Sequence, residues 1–141
     1  MATTSTAQTH WEGGLKEGSG QVELVTSGAG TFDVNWAKRA DAGKGTTNPE
    51  ELLAAAHATC YSMALSLALA DNGTPPTSID TKAAVGFQPG VGVTGSTLTV
   101  VGKVPGLSEE EFHRFAEEAK DNCPISAALS IPITLNATFE A

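Results

Sequence analysis

The sequence predicts an α+β fold with mostly antiparallel strands, and three observations carry that prediction. Residues 131–139 alternate strictly, with Ile131, Ile133, Leu135, Ala137 and Phe139 at every second position, which is the period of a strand with one buried face. Residues 48–71 open on a helix-start pattern and then carry no charged residue from Leu52 to Ala70. Around these lie shorter alternating segments separated by glycine-containing turns.

The elements follow in order. Residues 21–25 place Val22 and Leu24 on one face, and residues 31–36 do the same with Phe32, Val34 and Trp36. Ser27-Gly28-Ala29-Gly30 between them has the composition of a hairpin turn. A loop over 40–47 leads to Asn48, suited to an N-cap, then Pro49 at the first helical position and Glu51 in a capping-box arrangement. The helix is predicted to end near Asp71, where Asn72-Gly73 supplies a left-handed cap and Pro75-Pro76 prevents continuation. Its lack of charge predicts cover on nearly all sides. Strands are expected over 79–87 and 96–104. Ser108 and Glu111 form a second capping box, opening a helix to about Asn122 with Phe112, Phe115 and Ala119 as its apolar stripe. Pro124 stops that helix and starts a short one through Leu129.

The chain length of 141 residues suits one domain, 1–141. With 40% hydrophobic and 17% charged residues, a packed globule is favoured over disorder. Eight basic against sixteen acidic residues give a net charge of −8, which argues against nucleic acid and anionic membrane surfaces as partners. Residues 1–11 are polar and threonine-rich, unlike a secretory leader. Residues 52–70 are long enough to span a bilayer, but His57, Thr59, Ser62 and Ser66 would be costly in hydrocarbon, so no membrane is expected. The expectation is a soluble, cytoplasmic protein.

Two cysteines, Cys60 and Cys123, are too few for a disulfide scaffold or a four-cysteine zinc site. They read either as small buried hydrophobes or as a redox pair. Cys123 directly precedes Pro124, so it sits at a helix start, where partial positive charge favours the thiolate. Of the two arginines, Arg114 has Glu110 and Glu118 one turn away on either side. Arg39 is not explained by its neighbours. It reads either as a solvated arginine or as a guanidinium that lowers a thiol pKa and holds an oxygen substrate. Glu50 and Glu51 suit the first turn of a helix on dipole grounds alone. His57, one turn before Cys60, raises a cysteine hydrolase reading, but an i,i+3 pair has no third group to orient the ring, and a satisfied core histidine is the better reading. His10 and His113 lack ligand spacing, so no metal site is expected. Asn136-Ala137-Thr138 is a sequon placed in a strand.

The run Asn48-Pro49-Glu50-Glu51-Leu52-Leu53-Ala54-Ala55-Ala56-His57-Ala58-Thr59-Cys60-Tyr61-Ser62-Met63-Ala64-Leu65 resembles the signature helix of the OsmC/Ohr family (osmotically inducible protein C and organic hydroperoxide resistance proteins). Ala119-Lys120-Asp121-Asn122-Cys123-Pro124-Ile125-Ser126 resembles the family's second cysteine motif, and His10-Trp11-Glu12-Gly13 with Gly18-Ser19-Gly20 points to the OsmC branch. The resemblance covers essentially the whole chain. It implies an OsmC-like fold, an antiparallel sheet wrapped around a long buried central helix, in an intertwined homodimer with active sites at the subunit interface. It further implies a cysteine-based peroxidase that reduces organic hydroperoxides, and hydrogen peroxide more weakly, without a cofactor.

Residue by residue, the resemblance makes Cys60 the peroxidatic cysteine, Cys123 the resolving one, Arg39 the activating arginine and Glu50 its carboxylate partner. A Cys60–Cys123 disulfide would be reopened by an external dithiol or lipoyl group. Leu52, Leu53 and Met63, with apolar residues of the partner subunit, are expected to line an apolar pocket. Two departures from the family pattern stand out. The usual Gly-Thr-Asn-Pro is Gly45-Thr46-Thr47-Asn48-Pro49, and the usual arginine-aromatic pair is Arg39-Ala40. A non-catalytic redox sensor or binding module on the same fold is the alternative.

Overall fold

The structure, a computed structural model, describes residues 2–141. The chain forms two compact units, one ending at Leu52 and the other running Leu53–Ala141.

The first unit is an antiparallel meander of β1 (Ala7–Glu12), β2 (Ser19–Leu24) and β3 (Thr31–Val34). β1 is absent from the sequence reading because it is an edge strand whose residues are all exposed, so no buried face imposes an alternating pattern. The register sets Trp11 against Gly20 and Val22 against Phe32. A Cβ at residue 20 would lie 2.4 Å from the His10 carbonyl oxygen and 2.9 Å from the Trp11 ring, so the two strands approach this closely only with glycine there. Trp36 does not extend the strand as expected. Asn35 caps a short helix, α1 (Trp36–Ala40), by accepting a hydrogen bond from the Lys38 N–H at 2.9 Å. Arg39 therefore sits on a helix rather than at a strand end.

α2 (Pro49–Asp71) begins in the first unit and continues into the second. The Asn48 side chain accepts from the Glu51 N–H at 2.8 Å, while the Glu51 carboxylate turns to the Thr47 hydroxyl at 2.5 Å instead of closing a capping box. The helix ends in a Schellman arrangement, with Gly73 at φ 83° and the Thr74 N–H donating to the Leu69 carbonyl at 3.0 Å.

In the second unit β4 (Ser78–Gln88), β5 (Gly92–Lys103) and β6 (Ile133–Glu140) form a sheet in the order β4-β5-β6. β4 and β5 are antiparallel, but β6 runs parallel to β5. The crossover between them carries α3 (Glu109–Asn122) and α4 (Pro124–Ala128), as a parallel connection requires. The expected single antiparallel sheet is thus two three-stranded sheets, one of them mixed. The core of this unit joins Tyr61, Leu65 and Leu69 of α2, Leu98 and Val100 of β5, and Phe112, Phe115, Ala116 and Ala119 of α3. Gly102 belongs to it by omission: a Cβ there would lie 2.4 Å from the Phe112 ring.

The expectation that α2 is covered on nearly all sides is not met within one chain. His57, Tyr61, Leu65 and Leu69, four residues apart, are fully buried, whereas Met63 and Leu67 on the other side are 68% and 64% exposed. Low charge reports low polarity all round the helix, but one chain supplies partners for a single face.

Candidate active site

Two pairs of the singled-out residues are brought together, each inside one unit. In the first, Arg39 on α1 donates from Nε to Glu50 Oε1 at 3.2 Å and from Nη2 to Glu50 Oε2 at 3.1 Å. This bidentate geometry fixes the plane of the guanidinium. The Glu50 side chain is 7% exposed and that of Arg39 35%, so the arginine remains reachable from solvent. The short helix holding it is tied to the entrance of α2 by Asn48, whose Nδ2 donates to the Lys38 carbonyl at 3.0 Å. Glu51 bonds elsewhere, to Thr47. Arg114, by contrast, makes an exposed pair with Glu118 at 3.5 Å.

Arg39 also lines a cavity of about 350 Å³ with Trp11, Val22, Trp36, Pro49 and Leu52. The lining is aromatic and aliphatic apart from the guanidinium and a few polar groups, the composition expected of a site for a small, largely apolar molecule. Leu52 falls on this cavity as anticipated, whereas Met63 lines a separate groove with Ser62, Ser66 and Leu67.

In the second unit the Cys60 and Cys123 side chains are hydrogen-bonded to one another, both as free thiols. Their burial differs: Cys60 is partly exposed, and Cys123 has no exposed surface. Cys123 ends α3 and begins α4 with an extended backbone (φ −56°, ψ 125°), and the proline after it makes the change of direction obligatory. The turn aims the first N–H groups of α4 at the sulfurs. Burial pushes the Cys123 thiol up, but the Ser126 N–H, the Cys60 thiol, the Ser126 hydroxyl and the Ile125 N–H outweigh it, and the net shift is downward. Cys60 moves the other way, raised by burial and by its hydrogen bond to Cys123, with the Ile125 N–H opposing. Nearby Tyr61 stays neutral: burial holds its phenol far above the ordinary value, and its hydroxyl donates to the Ala116 carbonyl at 3.0 Å.

His57 is fully buried, with Nδ1 2.7 Å from Ser96 Oγ and Nε2 2.8 Å from Ser126 Oγ. Burial lowers its pKa, which keeps the ring neutral. Both nitrogens are satisfied, as for a core histidine, but Ser126 also bonds Cys123. Ser96 and Ser126 were not legible as members of this group, because they come together only through packing of β5, α2 and α4. No group of three or more metal-ligating side chains occurs among the described residues.

The family model for OsmC-like proteins matches residues 41–137, a stretch that contains both cysteines and Glu50. Peroxiredoxin OsmC of Escherichia coli (strain K12) is 40% identical over 139 residues, covering 96% of this chain and 96% of that protein. The organic hydroperoxide resistance protein of Xanthomonas axonopodis pv. citri is 32% identical over 97 residues, 67% of this chain and 68% of that one. Among solved structures, an organic hydroperoxide resistance protein from Elizabethkingia anophelis superposes with a TM-score of 0.66 at 26% identity, over 99% of both chains. An OsmC-like protein from Mycoplasma pneumoniae, with a TM-score of 0.75 at 15% identity over the whole of both chains, shares the fold. A family model spanning well over half the sequence and a 40% identical relative aligned nearly end to end establish that the chain belongs to the OsmC-like family, in its OsmC branch.

Proposed function

We propose that this protein, acting as one OsmC-like domain, is a cysteine-based peroxidase that reduces organic hydroperoxides, and hydrogen peroxide more weakly, to alcohol and water. The observation that carries the reading is the thiol pair: a partly exposed Cys60 in hydrogen-bond contact with a fully buried Cys123. Two thiols so placed can form a disulfide without large movement, and only the exposed one can meet a substrate. The peroxiredoxin and organic hydroperoxide resistance proteins among the relatives support the same class.

Cys60 attacks the terminal oxygen of the hydroperoxide, the O–O bond breaks, and the departing alkoxide takes the thiol proton. The products are a Cys60 sulfenic acid and an alcohol. The Cys123 thiolate then attacks the Cys60 sulfur. The S–O bond breaks, hydroxide leaves as water with one proton, and a Cys60–Cys123 disulfide remains. A dithiol or lipoyl group reopens it, and no bound cofactor takes part. The family resemblance gives Arg39, held by Glu50, the part of supplying positive charge to the developing thiolate and alkoxide, and the aromatic lining beside the guanidinium suits the organic part of a substrate. The family resemblance assigns the active form to a homodimer with the active sites completed at the subunit interface, and we place it in the cytoplasm.

The test is a steady-state assay with cumene hydroperoxide and excess dithiol. Sustained turnover by the wild type, abolished in Cys60→Ser, is the expected result. Continued turnover in Cys60→Ser overturns the mechanism. Oxidation once, without cycling in excess dithiol, would make the protein a redox sensor instead.

A further inference from the structure

The buried His57 has no part in the chemistry above, yet it lies at the centre of a continuous hydrogen-bonded chain. That chain runs from Ser96 through the two ring nitrogens to Ser126 Oγ, and on to Cys123. Ser96, His57 and Ser126 are 2%, 0% and 7% exposed, and Cys123 is fully buried. A thiol with no contact with solvent cannot give its proton to water directly, although it must lose it before attacking the sulfenic acid. At its far end Ser96 borders an open groove of about 430 Å³ between β4, β5 and the start of β6.

We propose that Ser96, His57 and Ser126 form a proton relay for Cys123, which carries off the thiol proton and stabilises the thiolate that closes the disulfide. His57 and Ser126 are positioning residues here, acting on the reacting sulfur rather than on substrate. The inference rests on the peroxidase reading for its kinetic consequence.

The hydroxyls and the neutral ring permit two arrangements. In one, Nδ1–H donates to Ser96 and the Ser126 hydroxyl donates to Nε2, leaving the Ser126 oxygen to accept from the Cys123 thiol. In the other, Ser96 donates to Nδ1 and Nε2–H donates to Ser126, whose hydroxyl then donates to the Cys123 thiolate. Converting the first into the second moves one proton along each link. The thiol proton passes to Ser126 oxygen, the Ser126 proton to Nε2, the Nδ1 proton to Ser96 oxygen, and the former Ser96 proton to water in the groove. The thiolate attacks the Cys60 sulfenic acid, and the departing hydroxide takes a proton from solvent, so the step is proton-neutral overall. When a dithiol reopens the disulfide, the reverse transfer reprotonates Cys123.

Besides Cys60 itself, this relay is the polar outlet among the groups facing Cys123. α2 presents Cys60 and the neutral Tyr61, α3 presents Glu117 toward Tyr61, and α4 presents the Ile125 and Ser126 N–H groups and the Ser126 hydroxyl. Because the ring shuttles between neutral tautomers, burial that disfavours imidazolium does not obstruct the transfer.

The experiment separates the two chemical steps. Reduced protein is mixed with cumene hydroperoxide in a quenched-flow instrument. Sulfenic acid is counted by dimedone trapping and disulfide by mass. In Ser126→Ala and His57→Gln, sulfenic acid should form at the wild-type rate while disulfide closure slows by about tenfold or more, the scale of one charge-assisted hydrogen bond. Ser126→Thr, which restores the hydroxyl, should recover the rate, and closure in Ser126→Ala should come to depend more steeply on hydroxide. Wild-type closure rates in both folded variants overturn the relay. Failure of the wild type to form sulfenic acid refutes the peroxidase reading instead. The relay is then judged in unoxidised Cys60→Ser protein, where adding Ser126→Ala should raise the Cys123 pKa by about one unit. An unchanged value there overturns it. If His57→Gln does not fold, Ser126→Ala, which deletes a single oxygen, decides the matter.

Discussion

The functional residues divide by what each one's surroundings permit. Cys123 is the buried, acidified thiol and Cys60 the raised, accessible one, and the proposed order of action rests on that difference in access. In Cys123→Ser, a Cys60 sulfenic acid should persist and be trappable by dimedone, because the resolving sulfur is gone. Arg39 and Glu50 make a bidentate pair. Arg39→Ala should lower kcat/KM for an organic hydroperoxide by about a hundredfold, the cost of removing a preorganised charge donor. Glu50→Gln should lower it less, since the guanidinium remains but is held more loosely. His57 contributes a pH dependence of stability. Its folded-state pKa lies below the ordinary 6.5, so the unfolded chain binds a proton that the folded chain refuses. Its stabilising contribution is therefore complete above pH 6.5 and declines as the pH falls from there toward the folded value. Melting temperatures measured from pH 7 to pH 5 should drop more steeply for the wild type than for His57→Gln.

Among the elements, legibility in the sequence tracked how strongly each is specified locally. α2 and α3 were clear because capping residues, proline and glycine act over three or four positions, and these signals coincide in Asn48-Pro49 and Ser108-Glu111. β6 was clear because one of its faces, Ile133, Leu135, Ala137 and Phe139, is half-buried against the core along its whole length. β1 was not, since an exposed polar edge strand obeys no pattern, and α1 was not, since a five-residue helix has too few turns to show a period. That β6 pairs parallel to β5 is decided by the α3–α4 crossover rather than by any residue in either strand. The same strands carry a packing constraint that can be measured. Gly102→Ala would place a methyl group 2.4 Å from the Phe112 ring, so chemical denaturation should show a loss of about 1–3 kcal/mol from overpacking.

For the molecule as a whole, the outward face of α2 is the largest departure from what the sequence suggested. A helix with no charged residue between Leu52 and Ala70 leaves Met63 and Leu67 in solvent in the single chain. Clustered exposed apolar side chains on a long helix mark an interaction surface, and the proposed homodimer supplies a second copy to cover it. Met63→Glu with Leu67→Glu should shift sedimentation toward the monomer while leaving the far-ultraviolet circular dichroism of the chain intact. A dimer unaffected by both charges would place the interface elsewhere.

The sequence by itself determined the fold class, both long helices and the helix-start position of Cys123, and its two cysteine motifs carried the family. Each of these depends on residues within a few positions of one another, where dihedral preferences, capping and side-chain period act. Tertiary structure alone decided that His57 connects Ser96 to Ser126, and it supplied the geometry of the two pairs that the family resemblance implied, Cys60 against Cys123 and Arg39 on Glu50 through Nε and Nη2. The contacts that join the two cysteines and link His57 to both serines are between residues tens of positions apart. Burial of the core brings such residues together, and no local pattern records which polar group will meet which once water is excluded.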